Sequence, residues 1–358
     1  MVSNNLVDFE ASFFRIMQTE NFHLPKIRSD KDYYSDVERL FEDYRDKIKR
    51  ILSNDELKEV EDISTGMLEA IKAYNNGLPH QAYEKLKTLM GTMKGLRIFQ
   101  KSGIYTKYDL DQDDPLRLYR VRGVSEYRKY RRMEIFHTPY YLQGKVATCR
   151  YSISGYPSLY LGTSLELCLQ EGKLQYDSVV IASRFKMIRS TRHNGNINIQ
   201  VIDLSVKPQD FLTKSPRGRN LEFFRNDNAE FAKQYLYWYP LIATCSFIRK
   251  SKSDPFSPEY IIPQLLMQWA RERYDSTDSQ RELVGVRYFS CASRETAELG
   301  FNYVFPVSGD KDENLSNNYC SVLANSFELT QPIIIEKEKL SFYQKSMKND
   351  RSLGKVNE

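Results

Sequence analysis

Residues 149–172 read C-R-Y-S-I-S-G-Y-P-S-L-Y-L-G-T-S-L-E-L-C-L-Q-E-G. After the turn at Gly155 and Pro157, S-L-Y-L-G (158–162) has the length and apolar content of a buried strand. Gly162, Thr163 and Ser164 then make a tight strand-to-helix turn, and Thr163 with Glu166 has capping-box spacing. Leu167, Cys168 and Glu171 follow at helical spacing, so the carboxylate shares a face with apolar neighbours. A strand passing through so short a turn into a helix sets the texture of everything downstream.

Working outward, L-R-L-Y-R-V-R (116–122) alternates apolar and polar residues and reads as a strand. The segments 146–153, 178–185, 197–204, 241–248, 284–290 and 332–336 also read as strands, with only a few helices between them. Strands outnumber helices without alternating strictly, which predicts an α+β arrangement and not a doubly wound parallel sheet.

The first hundred residues differ. Tyr33, Val37, Leu40, Phe41, Tyr44, Ile48, Ile51 and Leu52 keep helical spacing. Asn54 reads as the cap of a second helix, and Pro79 as the start of a third. Residues 101–115 are polar and end on a proline, as a linker would. The expected organisation is an all-α regulatory or oligomerisation domain (1–105), an α+β domain (106–340) and a loose polar tail (341–358). Some helical bundles are RNases with an Arg-x4–6-His pair; His80 has no arginine at that distance before it.

Composition narrows the chemistry. The four histidines (His23, His80, His137, His193) and five cysteines (Cys149, Cys168, Cys245, Cys291, Cys320) show no metal-ligand spacing and no C-x-x-C pair. Scattered thiols and an N-terminus without a basic-then-apolar leader predict a reduced, cytoplasmic protein. No run approaches the ~20 apolar residues of a membrane helix. A net charge of +5 permits an anionic ligand without indicating nucleic acid. The G-x-S-x-G, P-loop, G-x-G-x-x-G and H-E-x-x-H signatures are all absent. The 25 tyrosines suit either a wet core or a polar cleft with stacking surfaces.

Individual residues carry two readings each. Arg120 shares a strand face with Leu116 and Leu118, so it needs an anionic partner, either a structural carboxylate or a phosphate. Tyr160 is a core tyrosine or a stacking surface, and Glu171 a helix-end residue or a site carboxylate. Arg150 and Tyr151 form a solvated edge or a clamp over a flat ligand. The run R-K-Y-R-R (128–132) reads as a solvated loop face, Ser246 as a small core-strand residue, and His137 as a loop hydrogen-bonder.

Taken together, L-Y-R-V-R, then R-Y-S-I-S-G-Y-P-S-L-Y-L-G-T-S-L-E-L-C-L-Q-E, then P-L-I-A-T-C-S-F-I resembles a RES domain, the family named for its arginine, glutamate and serine. The segments E-Y-I-I-P-Q-L-L-M-Q-W, G-V-R-Y-F-S and N-Y-V-F-P-V resemble a longer subgroup with added N-terminal helices, so the likeness spans roughly residues 115–335. The resemblance implies an ADP-ribosyltransferase-like split β core with a cleft for NAD⁺. It also implies NAD⁺ breakdown by phosphorolysis or hydrolysis, or ADP-ribose transfer to a protein, in toxin–antitoxin or phage-defence settings. An inactive RES-like binding module, in which Arg120 and Glu171 merely pair with each other, is the contrasting expectation. Carried over by motif, the catalytic set is Arg120, Tyr160, Glu171 and Ser246, with Arg150, Tyr151 and Ser164 against the dinucleotide. Implied partners are NAD⁺, inorganic phosphate as a co-substrate, an Xre-type antitoxin and a second copy of the chain. No metal is expected.

Overall fold

A computed structural model describes residues 2–92, 117–172, 174, 179–188, 198–211, 228–251, 253–275, 282–308, 318–350 and 352–357. In chain order its helices are α1 (Val2–Met17), α2 (Tyr33–Ile48), α3 (Asn54–Asn75), α4 (Pro79–Thr92), α5 (Arg132–Ile135), α6 (Leu165–Glu171), α7 (Asn228–Thr244), α8 (Ile261–Asp275), α9 (Ser321–Ser326) and α10 (Leu340–Asn349). Its strands are β1 (Arg117–Val124), β2 (Ser158–Gly162), β3 (Val179–Met187), β4 (Asn198–Leu204), β5 (Glu282–Phe289), β6 (Phe301–Pro306), β7 (Phe327–Leu329) and β8 (Ile333–Ile335). The α+β expectation holds.

The chain separates into two compact units, Met1–Ile98 with Leu204–Leu265, and Phe99–Asp203 with Leu266–Glu358. The helical unit therefore includes a segment that the sequence assigned to an unbroken 106–340 domain. The expected linker, 101–115, lies outside the described residues.

In the first unit the helix starts follow their caps. Asp32 accepts the amide of Ser35 at the head of α2. Ser53, not Asn54, caps α3, in a capping box with Glu56. Pro79 opens α4 as expected. The stretch 241–248, expected as a strand, instead contains the end of α7. A short buried apolar run has no period that separates the two, and here every residue from Leu241 to Phe247 is buried. Tyrosines account for much of this core because their tips reach carbonyls. Tyr33 donates to Thr244 O (2.9 Å), Tyr44 to Leu236 O (2.9 Å) and Tyr239 to Phe22 O (3.0 Å). A buried ionic knot joins distant parts of this unit: Arg28 bonds Asp36 at 3.0 Å and Glu259 at 2.8 Å.

The second unit is organised by an eight-stranded sheet in the order β4-β5-β6-β2-β1-β3-β7, with β8 also pairing β3. β1 and β3 run antiparallel over eight registered pairs, Arg117↔Lys186 to Val124↔Val179. β2 and β6 pair from Ser158↔Pro306 to Gly162↔Asn302. Between these halves the ladder narrows to one registered pair, Tyr119↔Gly162. Alternation places Leu118, Leu159, Ile181, Phe185 and Phe305 in one core. Tyr119, Leu165, Val180 and Ala182 pack in a second on the opposite face, under α6 and α10.

Two expectations are corrected here. Residues 146–153, expected as a strand, form turns closed by the bridge Cys149↔Ser152. The tail is not loose: α10 buries Met347, Val356 is buried, and Gly354 exchanges backbone hydrogen bonds with Leu329. In the run R-K-Y-R-R, Arg128 is solvated and lies over the Tyr130 ring at 4.0 Å. Arg132, however, is buried, donating to Leu329 O (2.8 Å) and Ser352 O (3.0 Å).

His137 is wholly buried. Its Nδ1 donates to Thr138 O (2.8 Å) and its Nε2 accepts the amide of Cys320 (2.9 Å), which fixes the neutral tautomer. Burial, with Arg120 and Arg122 nearby, lowers its pKa from 6.5 to about 4. Between those values the unfolded chain binds a proton that the folded chain does not, so stability present above pH 6.5 is lost as pH falls toward 4. The expected loss is up to about 3 kcal/mol. Urea unfolding of the protein and of His137→Gln from pH 7 to pH 4 measures it: the variant should have a shallower pH slope, and equal slopes would refute the account.

Candidate functional site

The narrowing between β1 and β2 is where the polar residues gather. Arg120 faces the same side as buried Leu118, as strand alternation requires. Its Nη1 donates to Tyr160 O across the seam at 2.8 Å. The expected structural carboxylate is not its partner; a carbonyl is. Its Nε is buried without a hydrogen-bond partner among the described residues. Burial, then Arg122, works against the guanidinium charge, while Cys168, Tyr160 and Cys149 favour it. A half-buried cation with unspent donors attracts an anion.

The thiol of Cys168 crosses the same seam, donating to Tyr119 O at 3.2 Å. Burial pushes its pKa up to about 12, so it stays a neutral donor. Gly162 makes this approach possible. A Cβ there would stand 2.7 Å from Cys168 Sγ.

Beside the seam, Gly162↔Asn302 and Tyr288↔Asn302 are registered pairs, so these three residues share one face of the sheet, with Tyr160 a row away. α6 brings Glu171 over that face. Ser164 caps the helix by accepting Leu167 N (3.1 Å), and Gly172 ends it. The Glu171 carboxylate is exposed, and Asn302 Nδ2 donates to its Oε1 at 2.9 Å. The Tyr160 hydroxyl meets Ser152 Oγ at 2.8 Å, and Ser152 in turn donates to Ser158 Oγ at 2.9 Å. Tyr151 and Tyr288 pack ring to ring at 4.6 Å. Burial raises the Tyr288 pKa well above 10, with Glu171, Tyr160 and Tyr151 adding and Arg150 opposing. Glu171, Tyr160, Tyr151 and Arg150 therefore all lie within electrostatic reach of Tyr288.

Of the residues singled out in the sequence, Tyr160, Glu171, Arg150 and Tyr151 converge on this region, while Arg120 reaches Tyr160 O across the seam from the Leu118 face of β1. Arg150 and Tyr151 are buried, not a solvated edge. Ser164 is present, but its hydroxyl serves the helix cap and Leu299 O (3.1 Å). Ser246 belongs to the other unit, where its hydroxyl donates to Ile242 O at 2.6 Å. Asn302, Tyr288 and Ser152 were not singled out. The signal for Asn302 was a strand-averse amide inside an apolar run.

The arrangement defines a mixed α+β protein whose sheet carries an aromatic and carboxylate-lined face, with the Arg120 guanidinium at the seam beside it. In sequence the chain is similar to a protein of Bacillus subtilis (strain 168) described as "Putative toxin YopC", 27% identical over 314 residues. The match covers 84% of this chain and 65% of that protein, so the chain spans a little under two thirds of its relative's length. No family model matches the chain, and no solved structure matches it. Among the described residues no helix is long and apolar enough to cross a membrane, and no cluster of His, Cys, Asp or Glu forms a metal site.

The seam gives a direct prediction. Gly162→Ala forces Cys168 Sγ to move and should cost about 1–3 kcal/mol in urea unfolding. Adding Cys168→Ala removes the obstructing sulfur, so the double variant should lose less than the two single losses added together. Simple additivity would show that the close approach is not the cause.

Proposed function

We propose that the protein consumes NAD⁺, cleaving the nicotinamide–ribose bond by phosphorolysis or hydrolysis, and that it acts as a toxin. The observation that carries this reading is the separation of its two key charges. In an inactive module Arg120 and Glu171 would neutralise each other. Here Arg120 is bonded to a carbonyl and Glu171 to a neutral amide, and no ion pair joins them among the described residues. Resemblance to the RES domain supports the substrate, and the description of the Bacillus subtilis relative supports the toxin role.

In this mechanism the C1′–N bond breaks and its electron pair leaves with neutral nicotinamide. The ribose then carries oxocarbenium character, as in glycoside cleavage. Glu171, exposed at the end of α6, holds the ribose hydroxyls and stabilises the developing positive charge. Arg120, whose buried Nε has no hydrogen-bond partner among the described residues, is the residue assigned to the pyrophosphate. Tyr160 supplies an aromatic surface for the nicotinamide. An oxygen of phosphate or water closes the new bond at C1′, and Arg150 is the residue assigned to phosphate. Water gives ADP-ribose and a released proton; phosphate gives ADP-ribose 1″-phosphate.

Incubation of the purified protein with NAD⁺, with and without phosphate, followed by mass analysis of products, tests the reading. Glu171→Gln and Arg120→Ala should each lower turnover by at least about a hundredfold while leaving the unfolding midpoint in place. Undiminished turnover in both would sink the assignment. Label fixed on a protein instead of free product would mark ADP-ribose transfer.

A further inference from the structure

We infer that Asn302 is a positioning residue for Glu171, holding one carboxylate oxygen so that the other is presented to the ribose; this rests on the NAD⁺-consuming reading above. Three observations lead there. First, Glu171 ends a seven-residue helix and is followed at once by Gly172 in extended conformation, so its own element holds the side chain weakly. Its one hydrogen bond among the described residues comes from Asn302. Second, Asn302 is only 6% exposed and is the second residue of F-N-Y-V-F-P, a strand whose other residues are apolar or aromatic. Packing alone favours a β-branched or aromatic residue there. Third, the residue beside it on the neighbouring strand is Gly162, and Asn302 Oδ1 lies 3.6 Å from where a Cβ of Gly162 would be. The missing side chain leaves the amide room beneath α6.

The chemistry of the amide fits the task. A carboxylate only accepts, so the amide nitrogen must be the group turned toward Oε1. Asn302 brings no charge and so leaves that of Glu171 intact for the transition state. A lysine or arginine in its place would hold the carboxylate as firmly but neutralise it. The other groups around Glu171 are the neutral Cys168 thiol on its own helix and Tyr288 from β5, a tyrosine that Tyr160 and Arg150 also influence. Among the described residues none of them hydrogen-bonds the carboxylate.

Two variants test the inference. Asn302→Asp sets a second carboxylate at the same point, so the two share a proton. Asn302→Leu keeps the number and branching of the heavy atoms but removes the donor. Both changes disfavour the charged form of Glu171. In protein labelled with ¹³C at glutamate carboxyls, with the Glu171 signal assigned by its loss in Glu171→Gln, the titration midpoint should rise by about one pH unit or more in Asn302→Asp. A smaller rise is expected in Asn302→Leu. This measurement needs no turnover, so it stands even where the NAD⁺ reading fails. Where turnover is measurable, Asn302→Leu should lower kcat on the order of ten- to a hundredfold with KM nearly unchanged. In Asn302→Asp the acid limb of the pH–rate profile should move upward. A residue with a purely structural role would lower the unfolding midpoint and leave both the titration and the acid limb where they were. A Glu171 midpoint that is unmoved in either folded variant overturns the inference.

Discussion

The two halves of the sheet meet through a single registered pair, Tyr119↔Gly162, and the geometry of the site depends on that narrow join. A longer ladder between β1 and β2 would have used the Tyr160 and Tyr119 carbonyls in ordinary strand pairing. Instead Tyr160 O accepts from the Arg120 guanidinium and Tyr119 O from the Cys168 thiol. Side chains thus do part of the work of a backbone ladder, which satisfies the carbonyls and leaves room for functional groups at the same place. Gly162 is the condition for it. Only a residue without a Cβ lets α6 come close enough for the thiol to reach across.

The same join fixes where the charges stand. Arg120 belongs to β1 and Glu171 to the helix that follows β2, so the two are delivered from opposite sides of the seam. Each is held by a neutral partner, and neither charge is cancelled. Tyr151, Tyr160 and Tyr288 surround the carboxylate's face, two of them through strands that pair with β6. Buried His137 stands on the other side of this balance. It is neutral and hydrogen-bonded at both nitrogens, so it contributes to the core and not to the charged surface of the site.

Much of this was legible in the residues themselves. β1, β2, β3, β4 and β5 show in alternation or in short apolar runs, and the start of α6 shows in its polar turn, because those patterns are local. The helix starts at Asp32, Ser53 and Pro79 follow from capping chemistry, with Asn54 misread by one position. Where the local signal is ambiguous the reading failed. Residues 241–248 are apolar throughout and serve equally as strand or helix, and the tail residues Met347 and Val356 look solvated until their packing is known.

The sequence by itself determined most of the strands, the inward face of Arg120, and the order of arginine, tyrosine and glutamate. These depend on neighbours a few positions apart, whose spacing is set by the 2.0 and 3.6 periods of strand and helix. Only the tertiary structure decided the partners. It set Asn302 beneath Glu171 across 131 positions, gave the Ser164 hydroxyl to a helix cap, and put Ser246 in the other unit. Cross-strand register and long-range hydrogen bonds carry no local periodic mark, so one chain read alone does not reveal which polar groups will meet.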